Sequence, residues 1–465
     1  MDKETIDRLK EIVGAENLIT VPEGLLCYSY DGSGMEYPPE AVAFPGSVEE
    51  VSRIMQLASK VRFPVVPRGA GTGMTGGALP VSGGLVLAMT RLNRIIEIDR
   101  NNQIAVVEPG VITGRLQEEA RQLGLFYPPD PASLKFCTIG GNVAECAGGP
   151  SAVKYGVTRD YVLGLEAVLA DGRIISTGVR TAKGVVGYDL TRLLVGSEGT
   201  LAIITRITLK LLANPPFKDT FLVLCNDLRQ ATILVSRILA SHQPCTLEYM
   251  DHTALKIVSS RLPADLPEST RALLLIELDG TRDRVESEAR LLKNFLTGQE
   301  GVLSLSEASD KKEVDALWAA RRSVSPAAFD LKPHKMSEDV VVPRSRIPDL
   351  VQATEALAVE YGLTIFTFGH AGDGNIHVNI MLDRADPLEV EKAQTAKEEL
   401  FKTVLGLGGT LSGEHGVGLT KSGFISLELD HNSLGLMQEI KKLFDPLDIL
   451  NPGKIFPPQA AWQKK

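Results

Sequence analysis

Residues 68–77 read Arg68-Gly69-Ala70-Gly71-Thr72-Gly73-Met74-Thr75-Gly76-Gly77, directly after a short apolar run at 63–67 that reads as a strand. The six residues Gly71 to Gly76 satisfy the spacing G-x-G-x-x-G. In a doubly wound dinucleotide fold the third glycine opens a helix, and an acidic residue follows about 20 residues later. Here the loop runs into Leu79-Pro80-Val81-Ser82-Gly83-Gly84, which cannot be a helix interior, and the next acidic residue is Glu97. The doubly wound reading is excluded. Two readings remain: a loop whose glycines let backbone N–H groups converge on an anion such as pyrophosphate, or a plain glycine-rich turn.

The surroundings weigh on that choice. Upstream, Ser47-Val48-Glu49-Glu50 reads as a capping box, and Val51, Ile54, Met55 and Ala58 continue a helical apolar face. Downstream come short strands at 85–89, 95–98 and 104–108 and a helix at 114–123. A second glycine cluster follows Pro128-Pro129-Asp130-Pro131 and contains Thr138-Ile139-Gly140-Gly141-Asn142-Val143 and Ala147-Gly148-Gly149. Strands at 162–169 and 173–177 flank an Asp171-Gly172 turn, and a third cluster, Gly196-Ser197-Glu198-Gly199-Thr200, precedes a strand within 201–212. Three glycine clusters separated by short strands fit a built binding site better than a set of random turns.

Asn214-Pro215-Pro216 reads as a boundary, after which the pattern changes. Strands at 220–225, 245–250, 272–278, 337–342, 363–369 and 376–381 alternate with helices at 228–240 and 282–297 and one holding Trp318 and Arg321. A helix at 434–444 and Asn451-Pro452-Gly453-Lys454 close the chain. The 465 residues exceed what one core supports. The expected class is α+β, with a first domain at 1–215 of short mixed sheets, a second at 216–420 with an open antiparallel sheet, and a segment at 421–465 that returns to the first.

Composition excludes several function classes. With 44% hydrophobic and 23% charged residues the chain is an ordinary globular one. A formal net charge of −9 gives no overall basic field for nucleic acid. No apolar run reaches the ~18 residues of a membrane span, and Met1-Asp2-Lys3-Glu4-Thr5 does not begin a signal peptide. A cytoplasmic protein with reduced thiols is expected. Its five cysteines (Cys27, Cys137, Cys146, Cys225 and Cys245) show no C-x-x-C spacing for an iron–sulfur cluster of its own.

Three of the seven histidines lie between 370 and 415. The segment Gly369-His370-Ala371-Gly372-Asp373-Gly374-Asn375-Ile376-His377-Val378-Asn379 alternates, so a strand places His377 and Asn379 on one face. His370 precedes them across a glycine turn, and Ser412-Gly413-Glu414-His415-Gly416-Val417-Gly418 adds an adjacent carboxylate and imidazole. Two imidazoles and a carboxylate are the ligand set of many divalent-metal sites, so the cluster points to metal binding or catalysis.

The blocks R-G-A-G-T-G-M-T-G-G, G-G-N-V-A-E-C-A-G-G, K-Y-G-V-T-R-D-Y-V and G-S-E-G-T-L resemble the FAD domain of the vanillyl-alcohol oxidase / p-cresol methylhydroxylase superfamily. H-x-G-D-G-N-x-H-x-N and G-E-H-G-x-G resemble its branch of glycolate oxidase FAD subunits and FAD-dependent D-lactate dehydrogenases. The resemblance implies a FAD-binding domain and a substrate (cap) domain. It assigns FAD to Pro67, Arg68, Gly69, Ala70, Gly71, Thr72, Gly73, Gly76, Gly77, Asp130, Thr138, Gly141, Asn142, Gly148, Glu198, Gly199, Ile204 and Asn451. Thr72 stands where some members carry a FAD-linking histidine, so the FAD is expected to be noncovalent; Cys146 stands where many have asparagine.

The same resemblance implies that His370, His377 and Glu414 hold a divalent metal (zinc, manganese or iron) and that His415 acts as base. It places Arg321 on the substrate carboxylate, with Lys335 and Asn379 as further catalytic candidates. The implied reaction is oxidation of a small D-2-hydroxy acid, D-lactate or glycolate, to the 2-oxo acid. A D-2-hydroxyglutarate-type dehydrogenase and a non-redox transferase like alkyl-glycerone-phosphate synthase are the alternatives. Electrons would leave to an iron–sulfur subunit, an electron-transfer flavoprotein or a quinone, with any membrane association through such a partner.

Overall fold

The computed structural model describes residues 1–263 and 266–457; the end of the expected C-terminal segment, 458–465, lies outside them. The chain divides into two compact units. The first comprises Met1–Gly148, Val157–Asn214 and Glu414–Lys465, the second Gly149–Gly156 and Pro215–Gly413. Two stretches, and Pro215 at the boundary, fall in the other unit from the one expected. Residues 149–156 join the second because the Lys154 ammonium pairs with the Asp279 carboxylate and the Tyr155 hydroxyl donates to it at 2.7 Å. Residues 414–420 join the first because the Leu419 and Thr420 amides both donate to the Thr75 carbonyl, at 2.7 and 3.1 Å.

The first unit holds two main sheets. One is mixed, in the order Leu18–Ile19, Ala41–Ala43, Leu85–Ala88, Val65–Arg68, with the last three mutually parallel. The helix Val48–Val61 links two of these strands. Ser47 caps it by accepting from the Glu50 amide, and the Glu50 side chain accepts from the Gly46 amide. Its Val51, Ile54, Met55 and Ala58 are fully buried in the same core as Val65, Leu85 and Leu87. Each large apolar side chain contributes about 1.5–3 kcal/mol there. The other sheet, Ile95–Asp99, Ile104–Val107, Ile203–Lys210, Val162–Val168, Ile174–Gly178, is antiparallel throughout, so only the first is mixed as expected.

In the second unit one antiparallel sheet carries seven strands in the order Val302–Glu307, Phe217–Cys225, Ala272–Gly280, Thr246–Asp251, Thr364–His370, Asn375–Leu382, His334–Val341. The helix Lys311–Ala327 packs Leu317, Ala320 and Val324 into a core with Met250, Leu273, Leu275, Phe366 and Phe368. That packing carries Arg321, on the same helix, to the sheet.

Candidate active site

The mixed sheet ends at Arg68, and the glycine loop starts where that strand stops. The loop forms one wall of a cleft in the first unit with a volume of about 240 Å³. Pro67, Arg68, Gly69, Ala70, Gly71, Thr72, Gly73 and Gly77 line it, together with Thr138, Gly141, Asn142, Glu198, Gly199 and Ile204. Glu414 and His415 lie on its wall too. Gly76, Asp130, Gly148 and Asn451 were expected at the cofactor but are not among the lining residues. Asn451 instead braces the wall from behind: its buried amide donates to the carbonyls of Gly77 at 2.8 Å and Glu198 at 2.7 Å.

The second glycine cluster contains a helix, Ile139–Glu145. Thr138 caps it by accepting from the Gly141 amide at 3.2 Å. Its last residue, Glu145, enters the cleft beside Glu198. Glu198 accepts from the Val417 and Gly418 amides at 2.8 and 2.7 Å, and burial pushes its carboxyl up. Burial, then the Glu198 and Asp31 charges, hold the Glu145 carboxyl well above the usual carboxylate range. Lys454, donating to the Leu79 carbonyl at 2.6 Å, is pushed down to about 8 by burial.

The second unit assembles a different group on one face of its sheet. Register places Lys335, Ser337 and Asp339 opposite Met381, Asn379 and His377, with Phe366 and Phe368 on the next strand. The His370 and His377 rings are 5.1 Å apart between centroids and nearly perpendicular, and both are buried. Arg321 stacks on Phe368 at 4.6 Å, and its Nε and Nη2 reach Glu248 Oε2 at 2.6 and 2.5 Å. The two-pronged grip expected for a substrate carboxylate is thus already directed at Glu248, which leaves Nη1 outside the pair. Lys335 donates to the Ser325 hydroxyl at 2.6 Å, and burial lowers it to about 8. Asn379 is fully buried, accepting from Ser337 at 3.0 Å and donating to the His377 carbonyl at 3.3 Å.

Residues 39–178 match the FAD binding domain family, and residues 214–455 match the family of FAD linked oxidases, C-terminal domain. A glycolate oxidase subunit GlcD of Bacillus subtilis (strain 168) is 44% identical over 460 residues, 98% of each chain. The chain belongs to the FAD-linked oxidases. It is an FAD-dependent oxidoreductase. Among this oxidase's other relatives, the D-lactate dehydrogenase of Archaeoglobus fulgidus is 36% identical over 423 residues, 89% of this chain and 90% of that one. A p-cresol methylhydroxylase structure with substrate bound shares the fold: TM-score 0.82 at 19% identity, covering 98% of this oxidase and 96% of that chain.

The cleft of this FAD-linked oxidase suits a dinucleotide on its own chemistry. Among the described residues nothing meets Arg68 Nη1, a buried guanidinium nitrogen at the root of the glycine loop, while Nη2 donates to the Tyr30 carbonyl at 2.7 Å. A buried cation edge with an unused donor at the root of a glycine loop suits an anion. At Gly71 the loop has no room for a side chain. A Cβ on Gly71, whose φ is +69°, would collide with the Arg68 guanidinium. Glu145, Glu248, Ser325 and Asp339 were not singled out in the sequence. Glu248 carried a usable signal, as an acid inside the otherwise apolar run Thr246-Leu247-Glu248-Tyr249-Met250. Asp339, likewise buried, puts Oδ1 3.7 Å from His377 Nδ1.

Proposed function

We propose that this oxidase converts a small D-2-hydroxy acid, D-lactate or glycolate, to its 2-oxo acid. One observation carries the reading: a single sheet face gathers two cations, Arg321 and Lys335, beside the paired imidazoles of His370 and His377. Cations suit a carboxylate and imidazoles suit a divalent ion, and a 2-hydroxy acid offers a carboxylate next to an alcohol. Relatives named glycolate oxidase subunit and D-lactate dehydrogenase support it.

Arg321, through Nη1, and Lys335 bind the carboxylate. His370, His377 and Glu414 hold zinc, manganese or iron. His415 takes the hydroxyl proton on a ring nitrogen. The glycine loop, Thr138, Asn142 and Glu198 hold FAD without a covalent bond, since Thr72 offers no linking imidazole. When bound, FAD supplies the two-electron acceptor and the ion a Lewis acid. Relatives carry "subunit" in their names, and no helix among the described residues is long and apolar enough to cross a membrane. Electrons pass on to an iron–sulfur subunit, an electron-transfer flavoprotein or a quinone.

The test is anaerobic titration of the FAD-loaded protein with D-lactate, glycolate, D-2-hydroxyglutarate and L-lactate, following the flavin absorbance. Bleaching by D-lactate or glycolate at stoichiometric amounts is expected. Preferential bleaching by D-2-hydroxyglutarate moves the assignment to a larger acid, and no bleaching by any hydroxy acid overturns it.

A further inference from the structure

Glu248 is fully buried on the strand Thr246–Asp251, and its two carboxylate oxygens face two different functional groups. Oε1 lies 2.6 Å from His370 Nδ1. Oε2 takes Arg321 Nε and Nη2 at 2.6 and 2.5 Å. We infer that Glu248 is the positioning residue that sets the metal-facing imidazole and the substrate-facing guanidinium as one unit. The inference rests on the reading of His370 as a metal ligand and Arg321 as the carboxylate clamp.

The chemistry of the contacts imposes the arrangement. An ionised carboxylate only accepts, so His370 must carry its proton on Nδ1, and its Nε2 is left with the lone pair that a metal needs. On the other side, two donors on one oxygen fix the guanidinium plane against Phe368 and leave Nη1 as the edge for a ligand. A glutamine cannot replace this. Its amide has one accepting and one donating end. With the donor toward His370 the ring flips to the Nε2–H tautomer; with the donor toward Arg321 two N–H groups oppose each other.

Three measurements on the FAD-loaded full chain test the inference, using wild type, Glu248→Gln, Arg321→Met and His370→Ala. The first is zinc affinity by competition with a chromophoric chelator. The second is oxalate affinity from the flavin spectrum. The third is the His370 tautomer from ¹⁵N–¹H correlation at pH 8 in metal-free protein. In Glu248→Gln, zinc and oxalate affinity should both fall, zinc by about 10–100-fold. Arg321→Met should lose oxalate and keep zinc, and His370→Ala should lose zinc. Wild-type His370 should be the neutral Nδ1–H form.

A Glu248 that merely neutralises Arg321 gives a different result: Glu248→Gln then loses oxalate with unchanged zinc affinity, and the inference is overturned. A neutral Nε2–H ring or an imidazolium in wild type overturns it as well. If wild type binds no zinc, manganese or iron, the metal reading fails. The tautomer in wild type and in Glu248→Gln still decides the positioning role.

Discussion

The two units build their sites from opposite materials. In the first, the cleft is made of backbone: glycine amides, a capped helix and carbonyls braced by Asn451. In the second, the candidate group is made of side chains on one sheet face, held to one another by Glu248 and Asp339. A backbone site tolerates many side-chain changes but rejects an added Cβ. A side-chain site fails when one functional group goes, yet its strand positions are forgiving of shape. The difference teaches where each kind of substitution should hurt, and the predictions below try to break that division.

The largest expected effect belongs to the functional-group class. His415→Ala should keep FAD bound while single-turnover flavin reduction by D-lactate slows about 10²–10⁴-fold, the usual share of a general base. Stopped-flow absorbance reads it, and an unchanged rate removes His415 as the base. Next is Arg321→Met, which strips the buried partner from Glu248. Leaving a buried charge uncompensated costs about 3–5 kcal/mol. Thermal unfolding of the variant should show a clear loss of stability, with the KM for the acid raised. A variant as stable as wild type means that Glu248 does not depend on Arg321.

The same division explains what the sequence reveals. The capping box at Ser47, the strand alternation at 376–381 and the glycine loop at 68–77 are local patterns, and each appears in the structure where those patterns predict. The helix Ile139–Glu145 hides behind two glycines, poor helix formers on their own; tertiary packing overrides propensity, with Gly140 against Pro109 where any Cβ would overlap it. The helix Lys3–Val13, capped by Asp2, stands where no element was read from the sequence. The pairing of Glu248 was hidden for another reason. Its partners are 73 and 122 residues away, and no periodicity encodes a pairing that only the sheet order creates. The assignment of 149–156 to the second unit likewise depends on one distant carboxylate, Asp279.

The backbone class is sharpened by Gly71→Ala. The substitution forces an L-residue to φ +69° and drives its Cβ against the Arg68 guanidinium. Strain of this kind is worth about 1–3 kcal/mol, so FAD affinity should fall about 10-fold or somewhat more. Turnover at saturating FAD should stay near wild type, because no functional group of the sheet face has changed. Equilibrium dialysis with FAD and a kcat measurement at excess cofactor separate the two. A fall in kcat at saturation breaks the division between the sites.

The smallest effect is a pH dependence on the sheet face. Burial lowers Lys335 from its ordinary value to about 8, and it meets Ser325 rather than an acid. A lysine depressed in the folded state is penalised in its charged form. The unfolded chain therefore holds more protons between pH 8 and 10.5, and this group's contribution to stability rises across that window. Ligand binding runs the other way. A substrate carboxylate gains from the ammonium and gains nothing from the neutral amine, so affinity should weaken as pH rises through about 8. The loss should be about tenfold, the size of one charge-assisted hydrogen bond. Oxalate dissociation constants between pH 7 and 9.5 measure it. Lys335→Met should bind more weakly at pH 7 and show no inflection near 8. An inflection that survives in that variant assigns the titration to another group and returns Lys335 to a packing role against Phe329, whose ring centre lies 5.4 Å from its ammonium.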